Sequence, residues 1–136
     1  MPELHYLSLC PDVAGLPLAR GTVRGFLRQW SVDEESSQDI IVSLQEALTN
    51  AVRFSGVKTE IDVILCLADD SVCVVVKDKG RGFDHELLPG SWCQETPDPL
   101  SPSVRGLFLI THLMDEVRLG SDGGAEVGML KRLPRH

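Results

Sequence analysis

The sequence has few of the residues from which metal centres and disulfide frameworks are built. No two of its four cysteines form a C-x-x-C pair, so we interpret them as reduced structural thiols of a cytosolic protein. The four histidines are scattered, without the spacing of metal ligands. These residues are Cys10, Cys66, Cys73, Cys93, His5, His85, His112 and His136.

Long apolar runs and an excess of positive charge are missing as well. No apolar run approaches the roughly 18 residues of a membrane-spanning helix. The N-terminus lacks the basic and then apolar segments of a signal peptide. The formal net charge is −7, which opposes nonspecific binding to nucleic acid. We therefore expect a cytoplasmic protein that binds neither a membrane nor nucleic acid directly.

The remaining composition is typical of one globular domain. The chain has 136 residues, of which 43% are hydrophobic and 24% are charged. A chain of this length buries a core without disulfides or metals. Since the sequence has no internal repeat, we predict a single domain over residues 1–136.

The predicted elements follow the order strand, helix, helix, strand, strand, loop, helix, strand, strand. Because strands follow one another in adjacent pairs, we predict an α+β two-layer sandwich. Its sheet is mixed and mostly antiparallel, with helices covering one face. The segments are "LHYLSLC", "LARGTVRGFLRQW", "SVDEESSQDIIVSLQEALTNAVRFSG", "KTEIDVILCLADDSVCVVVKDKG", "VRGLFLITHLMDEV" and "EVRLGSDGGAEVGMLKRL".

Two turns and one long loop connect these segments. Asp69-Asp70 is the predicted turn of the first strand pair, and Asp122-Gly123-Gly124 that of the last. Periodicity disappears from His85 to Ser103, a stretch that contains four prolines. A loop of this length inside a compact domain is usually a functional lid or a disordered segment.

The first candidate motif is "EALTNAVRF" in the second helix. Glu46 and Asn50 are one turn apart, so they project from one side of the helix. At about 100° per residue they fall opposite the apolar stripe that includes Ile40, Leu44 and Leu48. One interpretation is a solvated helix face. The other is a carboxylate base beside a carboxamide that ligates Mg²⁺, a cation that prefers oxygen ligands.

The second candidate motif is "KDKGRGFD", which follows an apolar strand. Asp78 stands at the end of the strand, where its carboxylate can accept a hydrogen bond from an amine of a planar base. Gly80 and Gly82 allow close approach of the backbone. The alternative is a turn after a strand with no ligand.

The third candidate motif is "SVRGLFLITHLMDEV". Ser103 marks a helix start, and Gly106 falls in the first turn. The unpaired backbone N–H groups of a first turn, together with the helix dipole, form a natural phosphate site. The alternative is an amphipathic helix with a serine cap, in which Leu107, Ile110 and Met114 face the core.

In this order, with a proline-rich loop between the second and third, the motifs resemble one family. The chain is similar to a Bergerat-fold (GHKL-type) ATPase domain, and more narrowly to the stand-alone anti-sigma-factor serine kinases of bacteria. The resemblance runs from about Ser31 to Leu133. The stretches "EALTNAVR", "DKGRGFD" and "GLFLITHLMDEV" are close to the three signature boxes of the family.

The resemblance implies ATP and Mg²⁺ as cofactors and gives each motif a role. Glu46 would be the general base that takes a proton from a serine hydroxyl. Asn50 would ligate Mg²⁺, and Asp78 would bind adenine. Residues 85–103 would form the ATP lid. The other implied nucleotide-binding residues are Gly80, Gly82, Arg105, Gly106 and Leu107.

The resemblance also implies partners. The phosphoryl acceptor of the family is a serine of a small antagonist protein, the anti-anti-sigma factor, and the second partner is a sigma factor. Family members often form homodimers. The catalytic part of a histidine kinase fits less well, because the sequence has no second helical domain with a phospho-accepting histidine.

Two positions depart from the pattern of the family. The third box usually begins Gly-x-Gly-Leu, but Val104 stands at its first position and cannot adopt positive φ cheaply. Ala125 stands where a threonine is usual, so one hydrogen bond, worth about 0.5–1.5 kcal/mol, is missing near the base. These departures motivate an alternative function, a partner-switching module that binds ATP weakly or not at all.

Overall fold

A computed structural model of the chain describes residues 3–9, 15–54, 60–78, 105–120 and 126–134. These residues form a five-stranded sheet and three helices. In chain order the elements are β1 (Glu3–Leu9), α1 (Gly15–Gln29), α2 (Glu34–Phe54), β2 (Ile61–Ala68), β3 (Ser71–Lys77), α3 (Arg105–Leu113), β4 (Glu116–Gly120) and β5 (Glu126–Arg132).

The sheet has the strand order β1-β2-β3-β5-β4. All of its neighbouring strands are antiparallel, which confirms the predicted α+β class and leaves no parallel pair among the described strands. The β2–β3 hairpin closes with Ala68 opposite Ser71. The turn between them includes Asp69 at φ 54°, so the predicted Asp69-Asp70 turn is confirmed. The predicted turn at residues 122–124 lies outside the described residues.

The strands bury alternate residues against the helices, as expected for a sheet with one covered face. Ile61 on β2, Val72 on β3 and Met129 on β5 belong to this buried layer. The opposite face carries Leu4 and Tyr6, which are 68% and 64% exposed. The core therefore lies between one face of the sheet and the helices.

Helix α2 is the centre of the core. It begins with an N-cap, in which the backbone N–H of Ser36 donates to the Asp33 carboxylate at 3.0 Å. Its apolar stripe is fully buried, with Ile40, Leu44 and Leu48 each 0% exposed. This helix carries two of the predicted site residues, Glu46 and Asn50.

Truncation within this stripe is expected to destabilise the protein strongly. Leu44→Ala removes most of a side chain that is 0% exposed, so we expect the free energy of unfolding to fall by about 2–5 kcal/mol. Val42→Ala is the matched control on the same helix, because Val42 is 36% exposed. We expect it to change the free energy of unfolding by less than about 0.5 kcal/mol in urea titrations. Equal losses would contradict the assignment of the core face.

The end of α3 differs from the sequence prediction. The pattern "VRGLFLITHLMDEV" predicted a helix through residue 117, but α3 ends at Leu113 and β4 begins at Glu116. The bend at Met114 and Asp115 is stabilised by the Asp115 N–H, which donates to the Leu130 carbonyl at 2.8 Å. Pairing with β5 therefore overrides the helical periodicity. The predicted burial of Leu107, Ile110 and Met114 is confirmed.

Cys66 and Cys73 are the free cysteines of the described residues, and they lie opposite each other on β2 and β3. Burial raises the pKa of the Cys73 thiol, and the nearby Cys66 raises it further. A raised thiol pKa lowers the fraction of reactive thiolate, in agreement with a structural role. No group of three or more metal-ligating side chains occurs in the described part of the chain. Within the same residues, no helix is long and apolar enough to cross a membrane.

Candidate functional site

Asn50 lies in the last turns of α2 and is only 3% exposed. The helical projection placed it opposite the apolar stripe, and of the two interpretations of this motif the solvated face is wrong for Asn50, because its side chain is buried. Helix α3 contacts α2, and the side of α2 that carries Asn50 also carries small or polar residues that are buried. Ser43 and Ala47, on the same side, are 0% and 1% exposed. Asn50 is thus a buried amide on α2, a helix that contacts α3.

The buried amide of Asn50 has one end without a partner. Within the described residues, its Nδ2 atom is inaccessible to solvent and has no hydrogen-bond acceptor. Leaving a buried polar group unsatisfied costs about 1–3 kcal/mol, so such a group in a folded protein calls for an explanation. The two ends of an amide differ by a flip, so either an N–H donor or the Oδ1 acceptor can face this position.

Glu46 lies one turn before Asn50 and is half-buried. In the described part of the chain it forms no ion pair. A carboxylate that is partly accessible and not neutralised by a cation can accept a proton from an incoming hydroxyl. The structure therefore leaves the predicted role as a base open to Glu46.

Asp78 directly follows β3 and is 1% exposed. In the strand register its neighbour Lys77 lies opposite Asp62 on β2 and opposite Glu126 on β5. Asp78 therefore lies at the end of the sheet where β2 and β5 begin. A carboxylate buried at a strand end is more consistent with a specific polar role than with a solvated turn. Gly80, Gly82 and the predicted lid at residues 85–103 lie outside the described residues.

Helix α3 begins at Arg105, close to the predicted start, with Gly106 as its second residue. Its first-turn N–H groups have no partner within the helix. Leu107 is 1% exposed and belongs to the core, so it anchors this turn. The departures from the family pattern at Val104 and Ala125 lie outside the described residues.

The structure brings the three motifs to neighbouring elements. Helix α2, which carries Glu46 and Asn50, contacts both α3 and β3. The first turn of α3 and the end of β3 carry the other two motifs. An amide, a carboxylate and the positive end of a helix dipole are groups that suit a nucleotide with its cation.

One residue that contacts both helices of the site, at some distance from the predicted site residues, was not predicted from the sequence. Lys131 on β5 contacts both α2 and α3 through its ammonium group. A signal for it was present in the strand pattern, because Val127, Met129 and Lys131 alternate and therefore share the helix-facing side of β5.

Comparison with known proteins defines the class of this domain. The model of the family described as "Histidine kinase-like ATPase domain" matches residues 10–131. A crystal structure of the RsbU and RsbW domains of Rv1364c from Mycobacterium tuberculosis has the same fold, with a TM-score of 0.73 and 22% identity. It matches 98% of this chain, which spans 33% of that longer one.

Curated relatives narrow the class to one family. "Serine-protein kinase RsbW" from Bacillus licheniformis is 33% identical over 132 residues, covering 92% of this chain and 81% of the relative. The proteins of that name from Staphylococcus epidermidis and Oceanobacillus iheyensis are 32% and 31% identical, over 87% and 89% of this chain and 79% and 80% of the relatives. The chain therefore belongs to the family of serine-protein kinases named RsbW, as the resemblance in the sequence predicted.

Proposed function

We propose that this protein is an ATP- and Mg²⁺-dependent serine protein kinase that phosphorylates an anti-anti-sigma protein and sequesters a sigma factor. The observation that carries the proposal is the buried Nδ2 atom of Asn50 on α2, which has no hydrogen-bond acceptor among the described residues. A bound Mg²⁺–phosphate group would satisfy it. The membership in a family of serine-protein kinases gives the reaction type.

Each motif has a specific task in this proposal. The Asp78 carboxylate would accept a hydrogen bond from the amine of adenine, and Asn50 would hold the metal ion. The first-turn N–H groups of α3, at Gly106 and Leu107, would donate to phosphate oxygens. Arg105, Gly80 and Gly82 would complete the nucleotide site, and residues 85–103 would close over it.

Phosphoryl transfer requires mainly positioning and charge stabilisation from the protein. Bound Mg-ATP supplies the phosphoryl group and part of the charge compensation. Glu46 would take the proton from the hydroxyl of the incoming serine as that oxygen attacks. Glu46 lies one turn before Asn50 on α2, so the base and the metal ligand would lie side by side on a single helix.

The proposal is tested by incubating the purified protein with Mg-ATP and its cognate antagonist. We expect phosphoserine to form on the antagonist and to disappear when Mg²⁺ is removed by a chelator. No phosphoserine under conditions in which the protein and the antagonist bind each other would contradict the kinase activity.

The alternative is a partner-switching module that binds ATP weakly or not at all. Val104 and Ala125, the two departures from the family pattern, favour it. Calorimetry separates the two functions, because the alternative predicts no heat of binding at millimolar nucleotide. An ATP-dependent regulator of a sigma factor would act in the cytoplasm. We further propose that the protein forms a homodimer, which sedimentation can test.

A further inference from the structure

Lys131 is a cation on the helix-facing side of the sheet. Along β5 the same side carries Val127 and Met129, which are 3% and 1% exposed. The Lys131 side chain is itself only 16% exposed. A lysine this close to the core requires polar partners, because a charge removed from water is costly unless it is paired.

The ammonium group of Lys131 has a partner on each of the two helices that carry the site. Its Nζ atom donates to the Asp39 carboxylate of α2 at 2.9 Å and to the Leu113 carbonyl of α3 at 2.7 Å. Leu113 is the last residue of α3, where carbonyl groups lack helical partners and the helix dipole is negative. The side chain of Lys131 on β5 is therefore hydrogen-bonded to both α2 and α3.

These two hydrogen bonds of Lys131 lie far from the predicted site residues. Asn50 lies roughly three turns further along α2 than Asp39, and Gly106 lies roughly two turns back along α3 from Leu113. The bend after α3 is also held by β5, because the Arg132 N–H donates to the Asp115 carboxylate at 2.6 Å. Leu107 and Ile110 hold α3 against the core, and the bond from Lys131 fixes its C-terminal end. Lys131 therefore helps to set the orientation of α3 and with it the position of the first turn.

Building on the proposed function, we propose that Lys131 is a positioning residue for phosphate binding. By joining Asp39 to Leu113, it fixes the first turn of α3 relative to Asn50. A nucleotide whose phosphates bridge these two groups requires their separation to be constant, and small misplacements of binding groups are costly. The proposed adenine contact, Asp78, directly follows β3 and takes no part in the bonds of Lys131 to Asp39 and Leu113.

Lys131→Met removes the cation and keeps an apolar side chain of similar size at this position. A methionine has nearly the length of lysine and packs well beside apolar residues. Removing one partner of a buried ion pair is destabilising to the extent that the remaining charge stays buried and unpaired. Asp39 is 25% exposed, so water can reach it once the cation is gone. Lys131→Met therefore removes the hydrogen bonds that link Asp39 of α2 to Leu113 of α3, and its side chain still fills the space beside the core.

The test compares ATP with adenosine, which lacks phosphates, in titrations of the unaltered protein and of Lys131→Met. We expect ATP affinity to fall on the order of tenfold while adenosine affinity stays the same, because only the phosphate site is misplaced. Arg132→Met is the matched control. Arg132 is the next residue of the strand, forms an exposed ion pair with Glu116 at 2.7 Å, and touches neither α2 nor α3 through that pair.

The outcomes separate this proposal from the function on which it rests. If Lys131→Met binds ATP as tightly as the unaltered protein, or if its affinities for ATP and adenosine fall equally, the positioning role alone is overturned. Absence of ATP binding by the unaltered protein would overturn both. Should Lys131→Met not fold, Asp39→Asn applies the same test. It removes the charge from one partner and leaves the Leu113 bond in place, so a smaller loss selective for ATP is expected, and equal affinities again refute the proposal.

Discussion

Glu46→Gln is expected to slow phosphoryl transfer to the antagonist by roughly 10²- to 10⁴-fold, the usual contribution of a general base. The variant keeps the size and polarity of the side chain but cannot take the proton from the attacking serine. Nucleotide binding should be nearly unchanged, because Asn50, Asp78 and the first turn of α3 remain. The effect is measured as the single-turnover rate with saturating Mg-ATP.

The control for this variant is Glu35→Gln. It removes the same charge from the same helix, but Glu35 is exposed in the first turn of α2, away from the site. We expect its transfer rate to match that of the unaltered protein. Equal rates for Glu46→Gln and the unaltered protein would show that Glu46 is not the base.

Asn50→Ala is expected to weaken ATP binding in the presence of Mg²⁺ by about 1.5–3 kcal/mol, or roughly 10- to 150-fold, the range for hydrogen bonds to charged groups. The free energy of unfolding without nucleotide should change by less than about 1 kcal/mol. The reason is that the substitution also removes a buried polar atom that has no partner within the described residues.

Thr49→Ala is the matched control for this second variant. Thr49 is half-buried on the same turn, and its hydroxyl group donates to the Gln45 carbonyl at 2.8 Å within the helix. We expect its ATP affinity to stay within about twofold of the unaltered protein, since it lies outside the proposed site. Calorimetry and urea unfolding of both variants measure the two quantities. A parallel loss of stability and affinity in Asn50→Ala would indicate a structural role instead.

The architecture was largely predictable from the sequence, because local patterns and pairing agree. Alternation identified the strands, and the apolar stripe of α2 identified the core face with Ile40 and Leu44. The end of α3 was not predictable in the same way. The segment after Leu113 has helical periodicity, yet its backbone pairs with Leu130 on β5, a contact between distant parts of the chain.

The candidate site was predictable in its residue types but not in its environment. The four-residue spacing of Glu46 and Asn50 predicted that both side chains lie on the same side of the helix. The burial of Asn50 depends on how other elements pack against α2, and a helical projection of α2 alone contains no information on that. Lys131 was missed for a similar reason, since its partners Asp39 and Leu113 lie far from it in sequence.

A crystal structure of the protein with Mg²⁺ and a non-hydrolysable ATP analogue tests the central claim most directly. The account predicts that the adenine amine lies within hydrogen-bond distance of the Asp78 carboxylate. It also predicts that the Asn50 amide oxygen ligates Mg²⁺ and that phosphate oxygens accept from the first turn of α3. A nucleotide bound elsewhere, or an Asn50 amide that remains without any contact to the metal or the phosphates, would contradict it.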